Sequence, residues 1–208
     1  MSKYYEELMQ SIQEVLDDVQ STEKKLKRRV VTLEQEKEDK IILSIALLVS
    51  NRKDTIQKCL DSLTPIREAI PSELIILDTG CDADLRALLD QYADKIENFT
   101  WIKDFSAARN VTLQMAEGEW YMYLDDDEWF VETDDLIEFF KSGEYKDYGY
   151  ASYIQRNYLD MEGSQWADAW VSRMIKRTPD LHFVSKIHEY MEPMDGNCKG
   201  LHSYVDHY

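Results

Sequence analysis

The sequence predicts an α/β fold with a mostly parallel sheet, on three observations. Short apolar, β-rich runs alternate with segments of helical spacing over residues 41–124, the rhythm of βαβ units. The runs are nearly continuous in apolar residues, as strands covered on both faces are. A length of 208 residues, with 44% hydrophobic and 31% charged content, suffices for one core and an appendage.

The elements follow in order. Residues 1–38 form a helical N-terminal extension, distinct from a main domain over 39–208. The extension lacks Gly and Pro, and Leu8, Ile12, Val15, Val19, Leu26, Val30 and Leu33 recur mostly at steps of 3 or 4. That is close to a heptad seam, which either covers a core face or pairs with a second copy as a homodimer. Ile41–Val49 reads as a central strand. Asp54 caps a helix through Leu63, and Pro65 closes it. Glu73–Leu77 is a second strand, closed by Asp78-Thr79-Gly80. Asp82 or Asp84 starts a helix with Leu85, Leu88 and Leu89 inward. Phe99–Ile102 reads as the third strand. Phe105–Met115 is a helix packing through Ala107, Ala108, Val111 and Met115, and Glu119–Leu124 is the fourth strand. Asp134–Lys141 is helical and Gly143 ends it. Tyr148–Ile154, Ala169–Lys176, Leu181–Ile187 and Leu201–Val205 are extended with no helix between them, so they add antiparallel strands to one side of the sheet.

Charge and cysteine usage narrow the function. A net charge of −17 argues against nucleic acid or an anionic membrane as partner. Cys59, Cys81 and Cys198 are widely spaced without a CxxC pair, which fits a reducing compartment and a cytoplasmic location. The first residues are polar and acidic, unlike a signal peptide, and the run Ile41–Val49 is too short to be a transmembrane segment.

The polar residues fall at strand ends. The apolar run Trp120–Leu124 stops at Asp125-Asp126-Asp127-Glu128. Those acids either open a helix or hold a divalent cation with phosphates. In a parallel sheet the ends at Ser50-Asn51-Arg52, Asp78 and Asp125–Asp127 share one edge, where α/β sheets bind ligands. Asp78 either accepts from a base N–H or holds its own turn. Arg109 could pair with Asp78, with a phosphate, or with a surface acid. No Gly-rich phosphate loop follows the first strand, so phosphate charge falls to a metal or to side chains. The aromatic residues Tyr153, Tyr158, Trp166 and Trp170 read as core, with stacking on a sugar or peptide as the alternative.

Ser50-Asn51-Arg52-Lys53-Asp54, Ile76-Leu77-Asp78-Thr79-Gly80, Ala108-Arg109-Asn110, Gly118-Glu119-Trp120 and Leu124–Glu128 together resemble the family 2 glycosyltransferases, which have the GT-A fold. Asp104–Asn110, Ser172–Ile175, Lys186–Glu189 and His207-Tyr208 look like the subgroup with sublancin-type peptide S-glycosyltransferases and helical-repeat-tailed relatives. The resemblance implies a metal-dependent, inverting transfer from a nucleotide-diphosphate sugar, UDP-sugar favoured, to a peptide or glycan acceptor, with Mn²⁺ or Mg²⁺ as cofactor. By that resemblance Asp78 recognises the base, and Val49 and Ser50 line the nucleoside pocket. Asp125 and Asp126 hold ribose and sugar, and Asp127 and His207 bind the metal. Cys81 stands where the family often has Ser, and Asp126 where the residue is usually small. Sugar transfer also needs a base for the acceptor proton. Glu189, with His188, is the candidate; the alternative is that both pair with Arg173 or cap a turn. A sugar nucleotidyltransferase, which expects a Gly-rich basic loop, and a non-catalytic nucleotide-binding scaffold are the competing readings.

Overall fold

The computed structural model describes residues 3–38, 40–160 and 162–207. Two compact units emerge, Met1–Lys40 and Ile41–Tyr208. The first contains a single helix, α1 (Lys3–Glu38), along which Val15, Val19, Leu26 and Val30 are exposed.

The second unit begins with β1 (Leu43–Val49), α2 (Lys53–Ser62), α3 (Thr64–Ala69), β2 (Ser72–Asp78) and α4 (Ala83–Leu89). It continues with β3 (Lys95–Asn98), α5 (Phe105–Met115), β4 (Trp120–Asp125), β5 (Glu128–Glu132) and α6 (Asp134–Lys141). The last strands are β6 (Tyr150–Tyr158), β7 (Trp166–Lys176), β8 (His182–Val184), β9 (Tyr190–Glu192) and β10 (Cys198–His207). An 8-stranded sheet has the order β3-β2-β1-β4-β7-β6-β10-β5, while β8 and β9 form a separate hairpin. The first four strands of that order are parallel. Strand β7 joins β4 antiparallel, β6 is antiparallel to β7, and β10 is parallel to β6 but antiparallel to β5. The expected α/β fold with a mostly parallel, mixed sheet is present.

Local chemistry explains the departures from expectation. Pro65 does not close a helix; it occupies the first turn of α3, where a missing N–H costs nothing. Arg52 rather than Asp54 sits at the N-cap of α2. The third strand precedes Phe99, and Trp101 and Ile102 lie exposed in the loop before α5. Asp104 caps α5 by accepting from the Ala107 N–H at 3.0 Å. The buried face of α5 is Ala108, Arg109, Thr112 and Leu113, so the helix turns a charged residue inward. The acids after β4 open no helix: Asp126 and Asp127 make a turn into β5. Strand β9 was not foreseen, and β10 runs parallel to β6 instead of antiparallel. Tyr153 is core, as expected, but Trp166 and Trp170 are about half exposed, at 50% and 55%.

The core sits on the face of β1, β2 and β4 that meets α2, α3 and α6. Trp120 is its largest fully buried side chain, edge-on to Phe139 and Phe140 at 5.5 and 5.8 Å. The N-terminal edge of the parallel strands is pinned by a buried carboxylate. Glu73 accepts from Ser44 Oγ and the Glu117 N–H, both at 2.6 Å, and pairs with Lys95 at 2.8 Å. Gly118 donates to Ser44 Oγ at 2.8 Å, and a Cβ there would lie 2.5 Å from the Ser44 nitrogen.

Burial works against the Glu73 charge, yet Lys95, Ser44 and the Glu117 N–H outweigh it and hold the carboxyl below its ordinary range. A depressed folded value stabilises above the unfolded value, about 4.3, and that stability fades as pH falls through the folded one. Urea unfolding should therefore show Glu73→Gln less stable than wild type at pH 7, with the gap closing below about pH 4. Gly118→Ala should lose about 1–3 kcal/mol in the same assay at pH 7, because its clash is with backbone.

Candidate active site

The site is built at the C-terminal edge of the parallel strands. The registers Val49 to Asp78 and Leu48 to Asp125 set the ends of β1, β2 and β4 side by side. A cleft of about 640 Å³ opens there, lined by Ser50, Asp125, Asp126, Asp127, Glu189 and His207 among others. Its size is that of an ordinary small-molecule site. Strand β7 makes the room: it pairs with β4 only from Trp120 to Met122, so the two strands part before Asp125.

The four consecutive acids are not one cluster. Asp126 is turned into the β1–α2 junction, where Oδ2 accepts from the Ser50 N–H at 2.8 Å and Ser50 Oγ at 2.9 Å. Thr55 Oγ1 donates to its carbonyl at 2.8 Å. Glu128 is fully buried and accepts from the Asp125 N–H at 3.0 Å, from Gln155 and from Arg173. Asp125 pairs with Arg109, and with Arg173 at 3.1 Å. Burial alone would raise the Asp125 carboxyl, but the two guanidinium groups outweigh it and hold it below the usual carboxylate range. Asp127 pairs with the half-exposed Arg52.

Arg109 joins the elements around the cleft. It is 1% exposed, and it donates to Asp125, to the Leu124 carbonyl at 3.2 Å and to Glu189 Oε1 at 3.3 Å. Its guanidinium lies 4.4 Å from the Tyr123 ring centroid. The next residue clamps the β8–β9 hairpin: Asn110 Nδ2 donates to the Phe183 carbonyl at 2.9 Å and Asn110 Oδ1 accepts from its N–H at 2.8 Å. That clamp carries the loop with His188 and Glu189 to the cleft. Both residues line it, and His188 holds a left-handed φ of 56°.

Several expected placements are corrected. Asp78 does not line the cleft. Its Oδ1 accepts from the Gly80 and Cys81 N–H groups at 3.0 and 2.8 Å, and Oδ2 faces Arg86 at 3.4 Å, so its neighbour Thr79 reaches the cleft instead. Burial opposes the Asp78 charge, but those donors prevail and keep its carboxyl below the usual range. The Val49 side chain is fully buried in the core, and strand alternation gives Leu48 to the cleft. Arg109 pairs with neither Asp78 nor the surface. Glu189 pairs with Arg109 rather than Arg173. Burial, then Asp78, push the Cys81 thiol up to about 12, so the sulfur that replaces the common serine stays protonated.

Sequence reasoning missed Thr79, Tyr123, Arg173 and an apolar wall of Trp101, Phe105 and Ile187. Trp101 and Phe105 meet edge-on at 4.7 Å. Two exposed aromatic residues flanking the N-cap Asp104 were the available signal.

Asp127 and His207 are the residues that could hold a divalent ion. His207 Nε2 lies 3.9 Å from Asp127 Oδ1, and its Nδ1 is 2.8 Å from Asn157 Oδ1. A ring nitrogen engaged by an amide oxygen, with the other facing a carboxylate, suits a metal-binding histidine. Among the described residues, no three His, Cys, Asp or Glu side chains gather into a closed metal site. Two protein ligands with the remainder from phosphate and water fit a Mg²⁺-type ion.

The chain is 27% identical over 150 residues to a TPR repeat-containing protein of Synechococcus elongatus, covering 72% of this chain and 35% of that protein. It is 27% identical over 172 residues to the SPbeta prophage-derived glycosyltransferase SunS of Bacillus subtilis, covering 78% and 37%. The chain thus spans little more than a third of these relatives' length. A crystal structure of S. aureus TarS 1-349 aligns at 16% identity over 58% of this chain and 37% of that one, with a TM-score of 0.46. The sequence profile of Glycosyl transferase family 2 matches residues 44–197, which takes in every strand of the sheet except β10 and the whole loop that carries Glu189, and the chain belongs to that family.

Proposed function

We propose that this chain transfers a sugar from a nucleotide-diphosphate sugar, UDP-sugar favoured, to a peptide side chain or a glycan, with inversion. The observation that carries this reading is the single cleft shared by the acids ending β4 and by Glu189, in a chain of the glycosyltransferase family. The name of SunS as a glycosyltransferase supports sugar transfer in general.

The donor's nucleoside end belongs with Leu48, Ser50 and Thr79, where β1 and β2 end. Asp78 serves it indirectly, by ordering the turn that presents Thr79. The Val49 carbonyl, which accepts from the Thr79 N–H and Oγ1 at 2.9 Å each, locks that turn to β1. Asp126 fixes Ser50 beside the diphosphate, and Asp125 reaches the sugar with its charge kept by Arg109 and Arg173. Asp127 and His207 would hold Mn²⁺ or Mg²⁺, which supplies positive charge to the leaving diphosphate. Arg52, already seated on Asp127, adds a half-exposed guanidinium at the same place.

Glu189 acts as the base. Its Oε1 faces Arg109, leaving Oε2 for the acceptor proton. As the acceptor heteroatom bonds to the anomeric carbon, its proton passes to Glu189 and the carbon–oxygen bond to the diphosphate breaks. His188 lines the cleft beside it and contacts the acceptor. Among the described residues no helix is long and apolar enough to cross a membrane, and the exposed apolar spacing of α1 supports pairing with a second copy.

Isothermal titration should show UDP binding strengthened by Mn²⁺, and Asp127→Ala should abolish that increment; equal binding with and without metal would sink the metal assignment. Glu189→Gln should lower UDP release from a UDP-sugar by about 10²–10⁴-fold while donor affinity holds. Arg109→Met should cost about 3–5 kcal/mol in urea unfolding, because it leaves acids uncompensated in a buried site. Part of that loss should return when it is combined with Glu189→Gln.

A further inference from the structure

We propose that Asn157 is a positioning residue that fixes the tautomer of His207 and so prepares the ring to bind a divalent cation. This rests on the metal reading above. The argument begins at the Asn157 amide. Its Nδ2 donates to the Gln155 carbonyl at 3.3 Å and to the Ala167 carbonyl at 3.4 Å. Reversing the amide would turn Oδ1 toward two carbonyl oxygens, so the donor end is committed to the β6–β7 backbone. Oδ1 is then the end that meets His207 Nδ1 at 2.8 Å.

An amide oxygen only accepts, so Nδ1 must carry the proton. In a neutral imidazole the lone pair then belongs to Nε2. That nitrogen looks at Asp127 Oδ1 from 3.9 Å, outside hydrogen-bond range. Two acceptors facing each other at that separation are complementary to a cation. Several charged groups stand around the ring, among them Asp125, whose carboxylate is taken by Arg109 and Arg173. Asp127 faces Nε2, Glu128 is His207's partner across the β5–β10 ladder, and Arg52 sits on Asp127 Oδ2. Glu128 is occupied by Gln155 and Arg173, which leaves Asp127 as the acid that faces the lone pair.

The register makes the arrangement rigid. His207 on β10 is the in-register partner of Asn157 on β6, so the two side chains share one face of adjacent strands. Asn157 therefore acts through His207 and touches neither ion nor donor.

The test reads the tautomer directly, with no metal present. Long-range ¹H–¹⁵N correlation spectra at pH 8, above the ordinary imidazole value of about 6.5, distinguish the two neutral forms. The His207 signal among the four histidines is identified with a His207→Gln variant. Wild type should show the Nδ1–H form. Asn157→Leu should mix the two forms and weaken Mn²⁺ binding, followed by electron paramagnetic resonance with UDP present, by about 10–100-fold. An Nε2–H form in wild type overturns the proposal even if the leucine variant does not fold, and so does a folded leucine variant that binds Mn²⁺ like wild type. Nδ1–H protein that takes up no Mn²⁺ overturns the metal reading, and the proposal falls with it. Mn²⁺ uptake without the expected tautomer removes the role of Asn157 alone.

Discussion

A guanidinium buried to 1% exposure cannot be left without partners, and that constraint organises the site. Arg109 comes from the buried face of α5, which is Ala108, Arg109, Thr112 and Leu113 and not the all-apolar set Ala107, Ala108, Val111 and Met115 that the helical spacing suggests. Desolvating its charge is tolerable only with carboxylates and carbonyls already in place. Those partners come from separate segments: Leu124 and Asp125 from β4, Glu189 from the loop before β9. The same charge that keeps Asp125 ionised therefore also sets where Glu189 can stand. The Asp125 side and the Glu189 side of the cleft are held in one frame by a residue that does not line it.

The two edges of the sheet use buried polar groups differently. At the N-terminal edge, Glu73 closes a small, complete set of donors with Ser44, Lys95 and the Glu117 N–H. That set serves strand pairing and faces no cleft. At the opposite edge β4 and β7 part, and the space is bounded by Arg173, Tyr123 and Tyr153, whose hydroxyl reaches the Tyr123 carbonyl at 3.3 Å. Arg173 lines the opening and pairs with both Asp125 and Glu128, so the divergence of the strands does not strand a charge. A cleft thus replaces a stretch of ladder hydrogen bonds without leaving those acids unpaired.

The fold was legible where periodicity was strong. Strands β1, β2 and β4 and helix α5 followed from continuous apolar runs and helical spacing, and their common edge followed from parallel topology. What escaped was decided by tertiary partners. Phe99–Ile102 has strand composition, but Trp101 lines the cleft, Phe99 packs against Leu48, Leu77 and Ala108, and pairing to β2 ends at Asn98. The Asp-Asp-Asp-Glu run looked like one cluster because one dimension cannot show that Arg109 and Arg173 hold Asp125, Ser50 holds Asp126, Arg52 holds Asp127 and Arg173 also holds Glu128. For Asp78 the sequence left two readings, a base partner or its own turn, and the contacts it makes are with its turn donors and with Arg86. The family resemblance holds over residues 44–197, while the contacts made by each side chain emerged only in three dimensions.

The pairing of Asp127 with His207 is a product of sheet register rather than of loops. Strand β10 inserts between β5 and β6, so that His207 stands opposite Glu128 on one side and Asn157 on the other. Both ladders contain an irregularity near Tyr204, where β10 shifts before its last residues. Upstream of that shift Gly200 lies beneath Trp170, and a Cβ there would meet the ring at 3.3 Å. A slip of one residue would send His207 to the other face of the sheet. Gly200 under the indole and the shift at Tyr204 therefore bear on the register that brings imidazole and carboxylate together. Asn157, donating to the Gln155 and Ala167 carbonyls while accepting from His207, ties that register to the orientation of the ring.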